Sequence, residues 1–363
     1  MASTAASTGP DGVAEASPAE IVWTLKRKPT INDVARLAQV SKKTVSRVIN
    51  KSPLVHEETR DRIDAIIKAI GYIPDPNARG LASQRSFLLG LVYDNPNAQF
   101  IISIQEGVLE ASRRAGYELV VHPCNHRSPD LLEDVKHFVE RQRLDGLIIS
   151  PPVGENAELA RLLTELECRY TRLAYVPLDE PSNVVVSHDW QTAAEVADLL
   201  AGMGHRRIGF IKGPSGYGSA HERARGFLGA LEKHGITLPP ELVVEGAYTF
   251  ESGEAGAEKL LSLDPRPTAI FAGNDEMAAG VYKVAYRRGI SIPRDLSVVG
   301  FDDGPIASRL SPSLTTVRLP IKEMGRMAAE KLIARLTDPG HVPEESTVVP
   351  RLIVRESCAP PQF

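Results

Sequence analysis

Between residues 30 and 70 the apolar side chains recur at helical spacing. Ile31, Val34, Ala35 and Ala38 fall on one face, and Val45 and Val48 resume the pattern after a short break. Thr30 is placed to N-cap the first helix, with Asp33 three residues on as a weak capping-box partner, and Ser41 to cap the second. Over residues 55–70, Ile63, Ile66, Ile67 and Ile70 stand at i, i+3, i+4 and i+7, and Gly71 stops a third helix. The spacing predicts three short helices closing on a small core, the first two joined by a tight turn in the layout of a helix-turn-helix.

The pattern then breaks. Pro74 and Pro76 forbid a continuing helix. Residues 77–83 can form only a very short one, further weakened by Gly80, which orders only when something holds it. Leu81 is an apolar residue exposed in this linker. From Phe87 onward the period changes. Apolar runs at 88–93, 118–122, 146–150, 172–176, 208–212, 269–272 and 297–301 read as buried parallel strands, and 104–114, 130–141 and 193–203 as amphipathic helices. Repeated βα units predict doubly wound parallel sheets, and two such lobes enclose a cleft with ligands at the carboxyl ends of the strands. The loops there are polar: Asp94-Asn95, residues 213–223, Gly273-Asn274-Asp275 and Asp302-Asp303.

Composition narrows the function. At 363 residues and 42% hydrophobic, the chain has room for two or three ordinary globular domains. Residues 1–27 read as a disordered extension; they lack the basic start and apolar core of a signal peptide. No run of about 18 apolar residues predicts a membrane span. Cys124, Cys168 and Cys358 are scattered, which suits reduced thiols, and the nine histidines show no metal-ligand spacing, so neither metal nor cofactor is expected. G-P-S-G-Y-G-S-A lacks the G-K-[ST] of a phosphate loop, and neither a G-x-S-x-G elbow nor H-E-x-x-H is present, so no enzyme is expected. The net charge of −4 hides an asymmetry: residues 26–85 carry 13 Lys+Arg against 6 Asp+Glu, while residues 86–363 are net acidic. A basic module on an acidic body is an electrostatic footprint for nucleic acid. The basic stretch includes the outward face of the second helix, where Lys42, Lys43, Thr44, Ser46, Arg47 and Asn50 suit phosphate oxygens and the guanine edge. Taken alone, that face is equally an ordinary solvated helix surface.

The run D-V-A-x-x-A-x-V-S-x-x-T-V-S-R-V-x-N, then G-Y-x-P-x-x-x-A-R-x-L, resembles the lactose/galactose repressor family of bacterial transcription factors, and the likeness extends over residues 28–357 to R-L-I-V-R-E-S. The resemblance implies an α plus α/β architecture: a three-helix helix-turn-helix head (28–73), a hinge helix (74–85), and a two-lobed, periplasmic-binding-protein-like effector and dimerisation domain (86–363). It implies base contacts from Lys42, Lys43 and Arg47, and phosphate contacts from Thr30, Ser41, Thr44, Ser46 and Asn50. Ala78, Arg79 and Leu81 would enter the minor groove, Leu81 as the wedge. Effector contacts would come from Asp94, Phe100, Tyr217, Ser219, Arg223, Tyr248, Asn274, Asp275 and Asp302. Departures are Gln39 where the family has a turn glycine, Trp190 in V-S-H-D-W, and Leu319 where glutamine is common.

The implied function is a cytoplasmic, nucleoid-associated repressor of a carbohydrate operon, a homodimer on palindromic DNA released by a sugar-like effector. The chain closes without leucine heptads, which points to a dimer and not a coiled-coil tetramer. Open alternatives are a corepressor-driven regulator, a solute-binding protein of the same fold, and an effector-free regulator, the last favoured if Arg223 sits in a structural ion pair.

Overall fold

The computed structural model describes residues 27–49, 52, 54–72, 85–175, 178–338, 340 and 346–362. The chain divides into two compact units, Met1–Ser86 and Phe87–Phe363.

In the first unit, α1 (Ile31–Leu37), α2 (Lys42–Ile49) and α3 (Glu57–Ile70) bury Val34, Ala35, Ala38, Val45, Val48, Ile63, Ile70 and Tyr72 in one core. The third helix begins two residues later than its apolar spacing suggests, and Ile66 and Ile67 are only half-buried. Asp33 is a stronger cap than a side chain of its type at that position promises. Its Oδ2 accepts from the Thr30 backbone N–H at 2.8 Å and the Thr30 hydroxyl at 2.7 Å, and Arg27 donates to both its oxygens. Those hydrogen bonds, Thr30's first, hold the buried Asp33 carboxyl down at about 2. Gln39 adopts φ 51°, the left-handed conformation that its turn demands of a residue with a Cβ, and Gly71 ends α3 at φ 63°. Asn50, Ala78, Arg79, Leu81, the hinge helix and residues 1–26 lie outside the described residues.

The second unit holds two parallel sheets. The first lobe runs β1 (Leu88–Tyr93), α4 (Ala98–Ala115), β2 (Glu118–Pro123), α5 (Leu131–Gln142), β3 (Gly146–Ile149), α6 (Ala157–Glu165), β4 (Arg169–Ala174) and β5 (Val184–Ser187). The second runs α7 (Asp189–Gly202), β6 (Ile208–Lys212), α8 (Gly218–Lys233), β7 (Val243–Glu245), α9 (Phe250–Leu261), β8 (Ala269–Ala272), α10 (Asp275–Arg287) and β9 (Ser297–Val299). There follow α11 (Pro305–Arg309), β10 (Thr316–Arg318), α12 (Ile321–Thr337), β11 (Ser346–Val348) and β12 (Arg351–Ile353). The strand orders are β11-β5-β4-β3-β1-β2 and β7-β6-β8-β9, with β10 and β12 paired antiparallel. β11 returns to the edge of the first sheet, so the chain passes between the lobes three times.

Strands β7, β10, β11 and β12 have three residues each, too few for a period to show. β4 begins at Arg169, earlier than its apolar run, and the Tyr170 hydroxyl donates to Asp179 at 2.6 Å. Arg172 is 1% exposed, and its Nε donates to Asp179 at 3.1 Å. Helices α4 and α12 approach closely through reciprocal glycines: a Cβ on Gly107 would strike the Lys322 carbonyl, and one on Gly325 the Ile104 carbonyl. That contact fixes α4, which carries Phe100 of the cleft.

Candidate nucleic-acid interface and effector cleft

Helix α2 is held by its buried side. Val45 and Val48 point into the core, and Ser41 caps the N-terminus by accepting from the Thr44 N–H at 3.1 Å. Lys42 and Lys43 are therefore exposed, with Thr44, Ser46 and Arg47 half-exposed on the outer turn. Cations and hydroxyls stand together on one rigid surface, the donor set that phosphates and guanine edges require.

The cleft of the second unit lies at the carboxyl ends of both sheets. Its cavity, of about 30 Å³, has room for one or two waters. From the first lobe come Asn95, Asn97, Phe100, Pro151 and Tyr175, and from the second Tyr217, Ser219, Arg223, Tyr248, Asn274 and Asp302. Seven of the nine expected effector residues thus line one cavity. Asp94 and Asp275 do not. Asp94 is turned to His126, accepting from its backbone N–H at 2.8 Å and meeting its ring Nδ1 at 2.5 Å. Asp275 is fastened to the Thr316 hydroxyl at 2.5 Å and the Gly304 N–H at 2.7 Å, and faces a larger groove, about 930 Å³, lined from α4, α11 and α12. Asn95, Asn97, Pro151 and Tyr175 were not singled out as contacts. The signal that finds them is position alone, each following the carboxyl end of β1, β3 or β4.

Arg223 stands at the centre of the site, from the second turn of α8. Its Nε donates to Asp189 at 2.8 Å, a second nitrogen donates to the Gly273 carbonyl at 2.5 Å, and the third lies 3.5 Å from Asp302. Its guanidinium covers the Phe301 ring at 3.6 Å from the centroid. Arg223 is therefore in a buried ion pair with Asp189, whose other oxygen accepts from Ser187 at 2.5 Å. Asn274 N-caps α10 and donates to the Tyr248 carbonyl at 3.0 Å, while the Ser219 and Tyr248 hydroxyls bond each other at 3.1 Å. Tyr248 and Asp302 both hold positive φ, 60° and 108°, so backbone strain concentrates at the cavity wall. Burial pushes the Asp302 carboxyl up to about 7, the Arg223 charge opposing and the Asp189 charge adding. Across the cleft, Glu155 of the first lobe accepts from the Gly218 N–H at 2.9 Å, at the start of α8.

Among the described residues no helix is long and apolar enough to cross a membrane. The described residues of the cavity bring together polar groups and aromatic faces suited to recognition.

Residues 30–75 match the family described as bacterial regulatory proteins, lacI family, and residues 197–358 a periplasmic binding protein-like domain. The chain is 32% identical to the ribose operon repressor of Escherichia coli (strain K12) over 336 residues, 91% of this chain and 99% of that one. It is 33% identical to the HTH-type transcriptional repressor PurR of Proteus mirabilis (strain HI4320), over 92% of this chain and 98% of that one. Among solved structures, the lac repressor dimer bound to operator and the anti-inducer ONPF superposes with a TM-score of 0.75 at 28% identity, over 92% of this chain and all of that one.

Proposed function

The chain belongs to the lacI family of bacterial regulatory proteins, non-enzymatic DNA-binding transcriptional regulators, and from that premise we propose that it represses a carbohydrate-utilisation operon. A homodimer binds a palindromic operator, one α2 per half-site, in the cytoplasm at the nucleoid. Lys42, Lys43 and Arg47 read bases; Thr30, Ser41, Thr44, Ser46 and Asn50 hold phosphates; Ala78, Arg79 and Leu81 of a hinge over residues 74–85 enter the minor groove. A sugar-like effector binds the cleft of residues 86–363, changes how the lobes dock, and releases the DNA. The division of the chain at Ser86 supports the start of the effector domain there, and we take residues 28–73 as the head.

The observation that carries this reading is the assembly of Phe100, Tyr217, Ser219, Arg223, Tyr248, Asn274 and Asp302 around one interlobe cavity, in a chain whose head presents Lys42, Lys43 and Arg47 outward. Ribose operon repressors among the relatives favour a sugar; PurR proteins keep the corepressor sign open as a second reading. The ion pair of Arg223 with Asp189 favours the effector-free reading, against which stands the cavity-facing carboxylate of Asp302. The test is selection of an operator from random duplexes, then footprinting. The proposal expects a palindrome protected by the native chain. Lys43→Ala and Arg47→Ala should each lose roughly 1–3 kcal/mol at particular base positions, whereas Thr44→Ala weakens all sequences alike. Enrichment of no common site contradicts it.

A further inference from the structure

Helix α8 carries three residues of the cleft wall, Tyr217 at its N-cap, Ser219 and Arg223. Its amino end is not closed from within its own lobe. The N–H groups of a helix's first turn have no intrahelical acceptor, and a short polar side chain or a first-turn acid ordinarily meets them. Here the side chain of Tyr217 caps nothing, and the first turn holds no acid. The acceptor comes from the other lobe, where Glu155 Oε2 accepts from the Gly218 N–H at 2.9 Å. Both partners are shaped for this contact. Glu155 ends a single helical turn after β3, Val153–Glu155, in which Val153 is fully buried and the Gly154 carbonyl accepts from the buried Arg172 at 2.8 Å. A Cβ on Gly218 would strike the Glu155 carboxylate, so the close approach needs glycine.

A ligand site ordinarily offers about 300 Å³ or more, whereas this cavity holds about 30 Å³. A ligand therefore enters only as the walls part. Resting on the reading of the cleft as the effector site, we infer that Glu155 is its positioning residue, a helix cap supplied across the lobes that holds α8, and with it Tyr217, Ser219 and Arg223, against the first lobe until an incoming effector releases it. The contact sets how often the site stands open, and apparent affinity for a site open only part of the time falls by that fraction. Burial pushes the Glu155 carboxyl above its ordinary value, so a neutral acceptor in its place loses little.

The test is residue-resolved hydrogen exchange of the full chain at pH 7, free of DNA and sugar, in the native chain, Glu155→Ala, Glu155→Gln and Gly218→Ala. The amide of residue 218 is expected to exchange about tenfold faster in Glu155→Ala, through loss of one hydrogen bond to a charged acceptor. Glu155→Gln keeps an acceptor oxygen and should stay within about threefold of native. Gly218→Ala, a change that elsewhere favours a helix, should reproduce Glu155→Ala once the intrinsic rates of the two residues are allowed for. The β6 and β8 amides should keep their native rates in all three, which separates a released cap from a loosened lobe. Stopped-flow binding of ribose, glucose, galactose and hypoxanthine gives a second readout, in which whichever binds should associate about tenfold faster with Glu155→Ala. Unchanged exchange at residue 218 in that variant, faster exchange throughout the second lobe, or association no faster than native overturns the inference. If none of the four binds the native chain, the effector-site reading falls, and exchange still decides whether Glu155 caps α8. Should Glu155→Ala fail to fold, Gly218→Ala, which leaves Glu155 in place, decides in its stead.

Discussion

Arg223 is held on three sides by groups from three parts of the chain, Asp189 at the start of α7, Gly273 after β8 and Asp302 after β9. With Arg223 only 5% exposed and Asp189 fully buried, Arg223→Gln strands an uncompensated carboxylate. It is predicted to cost about 3–5 kcal/mol in urea unfolding, with part of the loss recovered in Arg223→Gln/Asp189→Asn. Equal and additive losses would show that the pair is not coupled. His205, 1% exposed, meets the Thr268 hydroxyl at 2.9 Å and the Ala359 carbonyl at 3.0 Å, and burial lowers its pKa. Because the unfolded chain takes up this proton first, His205 contributes stability above its ordinary value of 6.5 that is lost as pH falls below it. Thermal midpoints measured across that range should fall with pH in the native chain and less steeply in His205→Gln. At this scale the sequence was only partly readable. The family resemblance marks Arg223, but its partner Asp189 stands 34 residues away on another helix, and no local period reveals such a pair. Asp275 and Asp302 look equivalent as loop acids. They differ because Thr316 and Gly304 take up one carboxylate and leave the other facing the cavity.

At the scale of elements, the strongly periodic segments were legible and the short ones were not. β1, β6 and β8 match their apolar runs end to end, since each is flanked by loop residues and buried on both faces. β7, β11 and β12 carry three residues each, too few to distinguish a strand from a loop, and their pairing is set by neighbours elsewhere in the sheet. The close crossing of α4 and α12 was equally invisible, because Gly107 and Gly325 matter only once the two helices face each other. Gly107→Ala forces its Cβ into the Lys322 backbone and is predicted to cost about 1–3 kcal/mol by thermal unfolding. As α4 also carries Phe100, the same variant should bind effector more weakly. An unchanged melting temperature would mean that the helices separate freely.

At the scale of the whole molecule, the division of charge is the physical basis of partner choice. A basic head on an acidic remainder directs nucleic acid to residues 26–85 and away from the rest of the chain. Operator affinity is accordingly predicted to fall linearly with the logarithm of salt concentration, and Lys42→Ala to reduce that slope by about one unit if it neutralises a phosphate or to relax base preference if it reads a base. A slope near zero would remove the electrostatic account. The two-unit architecture, and the placing of a cleft at the strand ends of the second unit, followed from the change of hydrophobic period at Phe87. The small volume of that cavity did not, since it depends on Glu155 reaching across to Gly218 and on the pairing of Arg223 with Asp189.

The central claim is that one chain couples a DNA-reading head to a ligand-reading cleft. Fluorescence anisotropy of the full chain on its selected operator, with and without each of a set of saturating sugars and purines, tests it most directly. The account predicts tight palindrome-specific binding that weakens in the presence of one sugar by about 5- to 150-fold, the usual range of allosteric coupling. Specific binding that no sugar or purine alters would contradict the coupling and establish an effector-free regulator.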